Sequence, residues 1–371
     1  MRNNIFEFAT GELSQDAFIC WCANWFNDDS KPRLKEMSVE LMRKFTGIDD
    51  IKSVMVCRQF SQDVYIDDKK LALKIDVLLV VNDKIAVIVE DKTYTSEHDN
   101  QIQRYVDGIK YLAANAKEGQ NFYGVDTIRT VFLKTGFMYD EDKCVKSDVV
   151  ISGPDFLNIL SKYAGNSEIL DSYIANLENI LQWYVDFGKY DGNLGSFWDW
   201  NIACYQIAQY KLMRDIFPET LWTDKESWQY KVYHGSSFGR PWTEMQICER
   251  YYAGSSDYYS VFWRIDTDDN GPYISLRLYE DFDKSNEEKK SRHRSLYDAM
   301  SETIRRVIEQ GSEFKWNEVY PGYRGNYKES SLIHIRLKDK LLDWQNEKEK
   351  FINCLNELTK FFVEESSKIE Y

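Results

Sequence analysis

Residues 71–90 constrain the fold more than any other stretch of the chain. Two runs dominated by Val, Ile and Leu, 71–81 and 84–90, are separated only by Asn82-Asp83. Each run is short and rich in β-branched residues, with no steady polar alternation. That is the pattern of a strand buried on both faces. Asn-Asp between two such strands reads as a tight hairpin turn. The expected fold class is therefore α/β, with a central sheet covered on both sides.

The flanking sequence supplies the other elements. Leu13, Ala17, Phe18 and Trp21 recur at helical spacing, with Glu12 and Asp16 one turn apart on one side. A second helix is expected over 34–45, stopped near Gly47. Residues 54–60 read as a strand and 67–70 as a turn, followed by the hairpin. A helix over 98–116 carries Ile102, Tyr105, Val106, Ile109 and Leu112 on one stripe. Strands are expected at 127–134 and 149–151, a helix opens at Pro154, and another carries Ile174, Leu177, Ile180 and Leu181.

Three glycines between Gly188 and Gly195 mark a composition break. It predicts a domain boundary, with a first domain over 1–188 and a C-terminal α+β domain over 189–371. In the latter, a helix is expected at 198–214. Strands follow at 230–233, 243–251, 258–266 and 273–279, with a hairpin turn at 268–271, and helices at 296–309 and 342–364.

Composition excludes several classes. The seven cysteines are scattered and form no CxxC, which argues against a disulfide framework or a structural zinc site. No run of about 18 uncharged apolar residues is present, so no membrane span is expected. The start of the chain lacks an apolar signal segment, and the expected location is cytoplasmic. The formal net charge of −14 opposes broad, non-specific affinity for nucleic acid. It leaves room for a carboxylate-rich metal site, because a bound divalent ion inverts the local field. No phosphate-binding glycine loop is present.

The four histidines, His98, His234, His293 and His334, are isolated in sequence. The densest basic cluster, 289–294, reads by default as a solvated loop and helix start, with a phosphate-contacting patch as the alternative. The aromatic and glycine-rich stretch 320–327 reads as an adaptable loop.

The chemistry lies where charge interrupts the apolar strands. Asp76 breaks the first run, Glu90 ends the second, and Lys92 follows two residues later. A buried carboxylate is costly unless it is paired or binds metal. Strand alternation puts Glu90 and Lys92 on one face and turns the Asp91 side chain away, leaving its backbone carbonyl as a further ligand. Hard oxygen donors of this kind suit Mg²⁺, with Mn²⁺ as a substitute. An ammonium beside them suits the charge that develops in phosphodiester hydrolysis.

Asp76, thirteen intervening residues, then Glu90-Asp91-Lys92 resembles the D…ExK core of the PD-(D/E)XK nuclease superfamily. Ile75 stands where the name-giving motif has Pro. Gln101 and Tyr105, four apart on the following helix, resemble the Q-x-x-x-Y of the RecB-like branch. Glu12 occupies the place of an additional metal-binding acid on the first helix, with Asp16 as the competing candidate. The segments 12–18 and 90–94, with Gln101, are similar to a bacterial subgroup of that superfamily.

The resemblance covers about residues 1–185. It implies a restriction-endonuclease-like mixed sheet flanked by helices and a Mg²⁺-dependent endonuclease acting on DNA, with a role in defence against foreign DNA. It also implies catalytic roles for Asp76, Glu90, Lys92, Gln101 and Tyr105, and metal ligation by Glu12, Asp76, Glu90 and Asp91. The competing reading is a catalytically silent nuclease fold whose C-terminal domain binds a protein or ligand, or pairs with a second copy.

Overall fold

The computed structural model describes residues 4–9, 11–93, 95, 100–143, 145–188, 202–217, 232–237, 240–252, 255–268, 271–283, 285–311, 319–322, 328–337 and 344–368. His98, Tyr94 and the glycine-rich break after Gly188 lie outside these residues. The chain divides into two compact units, Met1–Val185 and Asp186–Tyr371. No helix among the described residues is long and apolar enough to cross a membrane.

The first unit begins with helices α1 (Glu12–Asn24) and α2 (Pro32–Thr46). Pro starts α2, and Gly47 ends it at φ 73 with its N–H on the Arg43 carbonyl. A left-handed C-cap of this kind favours glycine because no Cβ clashes. A five-stranded sheet follows, in the order β1 (Val54–Ile66), β2 (Lys69–Val81), β3 (Ile85–Lys92), β4 (Thr127–Lys134) and β5 (Val149–Ser152). The pairs β1–β2 and β2–β3 are antiparallel; β3–β4 and β4–β5 are parallel. The sheet is thus mixed, with the sequence hairpin at its centre.

Strand β1 runs six residues beyond the expected end and turns back through Asp67 and Asp68, whose φ values are 50 and 60. Two left-handed residues match the natural twist of a two-residue hairpin.

Helix α3 (Gln101–Asn115) lies on one face of the sheet. Gly108 lets it approach closely, since a Cβ there would meet Leu73 Cδ2 at 2.3 Å. The other face carries α1, α2, α5 (Gly153–Ser161) and α6 (Glu168–Gly188). A short helix, α4 (Asp140–Lys143), precedes β5. Ser152 and Asp155 close a reciprocal capping box at the start of α5.

Side-chain alternation in the two antiparallel strands breaks at one place. Val77, Leu79 and Val81 pack with α1 and α2, whereas Leu73, Ile75, Leu78 and Val80 pack with α3. The change of face therefore falls at Asp76. Across the ladder, Arg58 pairs with Val77 and Phe60 with Ile75, and Gln59 between them is left-handed, with φ 51. A non-glycine residue in that region carries strain of about 1–3 kcal/mol and is characteristic of functional sites.

The second unit contains α7 (Ile202–Ile216), β6 (Val232–Ser237), β7 (Arg240–Tyr251), β8 (Tyr258–Asp268), β9 (Gly271–Glu280), α8 (Glu287–Gly311), β10 (Val319–Pro321), β11 (Glu329–Arg336) and α9 (Trp344–Ser366). Its sheet has the order β10-β11-β9-β8-β7-β6 and every pair is antiparallel. The two strands absent from the sequence reading, β10 and β11, form one edge.

One face of this sheet is apolar and meets helices. Buried Trp263 donates to Thr359 Oγ1 of α9 at 2.9 Å and stacks on Phe217 after α7. The basic cluster lies on α8 and is engaged in ion pairs: Lys289 and Arg292 meet Asp257, and Arg292 also meets Glu280. These contacts engage Lys289 and Arg292 with acids of the same unit. His293 is a core residue 3.0 Å from Ser330 Oγ. In the stretch 320–327, residues 323–327 lie outside the described set, as do 269–270 of the expected hairpin turn.

Candidate active site

The end of β3 brings three charged side chains out of the apolar sheet, each of them buried. Glu90 and Lys92 turn toward the α3 face, and Lys92 Nζ donates to Glu90 Oε1. The same ammonium is 3.8 Å from Asp76 Oδ2. Asp91 turns to the opposite face, where Gln15 Nε2 of α1 donates to its Oδ2 at 2.9 Å.

Alternation correctly separates Asp91 from Glu90, but it does not carry Asp91 away from the acidic group. Asp16, Asp76 and Asp91 each offer a carboxylate oxygen within 4.8 Å of the others. Asp76 reaches both sides because the change of face occurs at its own position.

These acids are short of donors. Asp16 Oδ1, Asp76 Oδ2, Glu90 Oε2 and Asp91 Oδ1 are buried oxygens with no hydrogen-bond partner. A buried unsatisfied polar group costs about 1–3 kcal/mol, more if charged. Several aimed at one region fit a hard divalent cation, whose oxygen ligands lie at about 2.0–2.6 Å. A span of 4.8 Å is compatible with ligands on opposite sides of one ion.

The remaining sequence candidates surround this group. Glu12, expected as a ligand, accepts at Oε1 from the Thr93 N–H at 3.3 Å and from Thr95 Oγ1 at 3.0 Å. Asp16, one turn later, stands in the three-acid group instead. Gln101 Nε2 donates to the Tyr105 hydroxyl at 2.7 Å, and that hydroxyl donates to the Lys74 carbonyl. The pair thus ties α3 to β2 two residues before Asp76.

Two positioning residues escape the sequence reading. Gln15 Oε1 accepts from Thr135 Oγ1 at 2.6 Å, which leaves its amide aimed at Asp91. Left-handed Gln59 donates to Asp16 Oδ2 at 3.0 Å. Gln15 could have been found from its helical adjacency to Asp16. Nothing local marks Gln59.

Burial sets the titration. It pushes Asp91 up to about 10, reinforced by the neighbouring Asp16 and Asp76 carboxylates. It pushes Glu90 up to about 7 against the pull of Lys92, with Asp76 adding to the rise. Asp76 is raised by burial despite Lys92. Lys92 is held as ammonium: burial opposes its charge, but Glu90 and Asp76 outweigh that.

Asp91→Asn therefore has a predictable sign in chelator-treated protein. The folded pKa lies above the unfolded value of 3.8, so below that value both states are protonated and Asp91 costs nothing. From there up to about 10, ionisation increasingly penalises the folded state. Asp91→Asn should raise stability by at least about 1 kcal/mol at alkaline pH, with the gain vanishing toward pH 4. Thermal melts across pH check this; a gain independent of pH would refute it.

Comparison with protein families gives a match to the PD-(D/E)XK nuclease superfamily model over residues 3–189. The chain belongs to the PD-(D/E)XK nuclease superfamily. No curated protein and no solved structure matches it. The superfamily assignment agrees with the mixed sheet and its flanking helices, and it carries phosphodiester hydrolysis as the family activity. It ends close to Gly188, so the antiparallel unit lies almost wholly beyond it.

Proposed function

We propose that this PD-(D/E)XK protein is a divalent-metal-dependent nuclease that cleaves DNA endonucleolytically. The observation that carries the reading is the grouping of the Asp16, Asp76 and Asp91 carboxylates, with Lys92 bridging Asp76 to Glu90 and with an orphaned buried oxygen on each of the four acids. Asp76 and Glu90 are the proposed metal ligands, with Asp91 and Asp16 completing the acidic shell and Glu12 at its rim. Mg²⁺ is the proposed ion, with Mn²⁺ able to replace it. Bound there, it would lower the pKa of a water and neutralise charge on the scissile phosphate.

The protein's own residues supply the rest. Lys92, held as ammonium, donates to the attacking water or to a non-bridging phosphate oxygen and offsets the charge that develops. Gln101 and Tyr105 hold α3 against β2 and so fix where Asp76 sits. Gln15 and Gln59 orient Asp91 and Asp16 from outside the reacting group. A cytoplasmic role in defence against foreign DNA is the biological setting we propose. A catalytically silent fold is disfavoured, because such a protein has no need to retain four unsatisfied buried acid oxygens.

The test is incubation of the purified chain with linear, circular and single-stranded DNA and with RNA, in Mg²⁺, Mn²⁺ or chelator. Cleavage of circular DNA that requires the metal is expected. Intact nucleic acid under every metal condition would sink the proposal.

A further inference from the structure

The second unit holds a cavity of about 640 Å³ on the sheet face opposite its apolar core. That volume is typical of small-ligand sites. Among the described residues it is lined by Tyr233, Trp242, Glu244, Tyr258, Phe262 and Tyr279, together with Arg264 and further polar groups. Strand register explains the convergence. Glu244 on β7 faces Tyr233 on β6 and Arg264 on β8, and Ser260 on β8 faces Tyr279 on β9.

The charges at this site do not balance. Arg264 and Arg277 each pair with both Asp266 and Glu329, a closed set of two cations and two anions. Glu244 stands outside that set. It is half-buried and is the β7 register partner of Arg264, whose guanidinium is already engaged by Asp266 and Glu329. Glu249 adds a second carboxylate to the lining. The cavity therefore carries a surplus of negative charge and opposes a phosphate or another anion.

Its aromatic walls strengthen the same preference, because the faces of aromatic rings attract cations. The groove already contains one such pair, with the Arg264 guanidinium 4.8 Å from the Trp242 ring centre.

We propose that this groove binds an organic cation, a guanidinium or alkylammonium group, with its charge on Glu244 and its carbon skeleton against the aromatic walls. Burial, opposed by Arg264 and reinforced by Glu329 and Asp266, pushes Glu244 up to about 7. A bound cation would relieve that strain by favouring the carboxylate. The second unit would then be a sensor or tether for cationic ligands, independent of whether the first unit cleaves DNA. The cation comes either from a free polyamine or from an Arg or Lys side chain of a peptide.

Isothermal titration of the full chain at low ionic strength distinguishes the outcomes. The probes are spermidine, a blocked arginine tripeptide and, as an anionic aromatic control, AMP. We expect one cationic probe to bind with 1:1 stoichiometry, weakened at least tenfold in Glu244→Gln. Glu244→Lys, which places its own ammonium in the groove, should abolish binding.

Tighter spermidine binding identifies a free cation, and tighter tripeptide binding identifies a peptide side chain. Unchanged binding in Glu244→Gln, preference for AMP, or no cation binding by the wild type would overturn the proposal. Melting curves verify that both variants fold; the Gln variant keeps the shape of the native side chain.

Discussion

Lys92→Ala protein is expected to lose DNA cleavage by about 10²–10³-fold while keeping its fold and its affinity for Mn²⁺. The ammonium touches Glu90 and lies 3.8 Å from Asp76, so its removal strips the positive charge nearest the proposed reacting phosphate. β3 should survive, because it is paired with β2 on one side and β4 on the other. Metal affinity should hold or rise, since the acids lose their competing cation.

That combination separates a catalytic role from a ligating one. Loss of Mn²⁺ binding in Lys92→Ala would show that Lys92 shapes the metal site rather than the reaction. Activity within tenfold of wild type at saturating metal would remove Lys92 from the mechanism. Circular dichroism, Mn²⁺ titration and initial cleavage rates together read the outcome.

Asp142→Ala is expected to be the most damaging change to stability, at about 3–5 kcal/mol. Lys134 and Asp142 are both fully buried, and Lys134 Nζ donates to Asp142 Oδ2. The same oxygen accepts from the Tyr139 N–H at 2.9 Å, and Tyr139 places its ring 4.8 Å from the ammonium. Removing the carboxylate takes a fully buried counter-charge from a fully buried cation, which costs far more than a surface pair returns.

For a unit of this size the loss corresponds to a fall in Tm of roughly 6–20 °C. The damage should reach the active site, because Lys134 is the β4 register partner of Lys92 and adjoins Thr135, which orients Gln15. Replacing both partners with apolar residues, Lys134→Met with Asp142→Leu, should recover much of the loss. A melting temperature for Asp142→Ala within 2 °C of wild type (about 1 kcal/mol or less) would show that the pair contributes little.

Much of the first unit was legible because its signals are local. The Val- and Ile-rich runs either side of Asn82-Asp83, the Gly47 stop and the helix opening at Pro154 all act within a few residues. The second unit was less legible. Its edge strand β10 is three residues long, and the stretch between it and β11, with Pro321-Gly322 and Gly325-Asn326, read as a loop and not as the link between two strands. Short antiparallel edges depend on a partner far away in sequence, and composition does not announce one.

In the candidate site, the sequence alone determined the cast: Asp76 within an apolar strand, Glu90 and Lys92 on one face, and Gln101 and Tyr105 one helical turn apart. Only the tertiary structure decided how they meet. It brings Asp16 rather than Glu12 into the group of three acids. It turns Asp91 onto Gln15, yet keeps its carboxylate near Asp76.

The physical reason is the break in alternation at Asp76 opposite left-handed Gln59. A strand's period of two is a local rule that assigns each side chain to one face. The change of face that lets one carboxylate serve both sides lies opposite left-handed Gln59 of the paired strand, a cross-strand relation that sequence spacing does not encode.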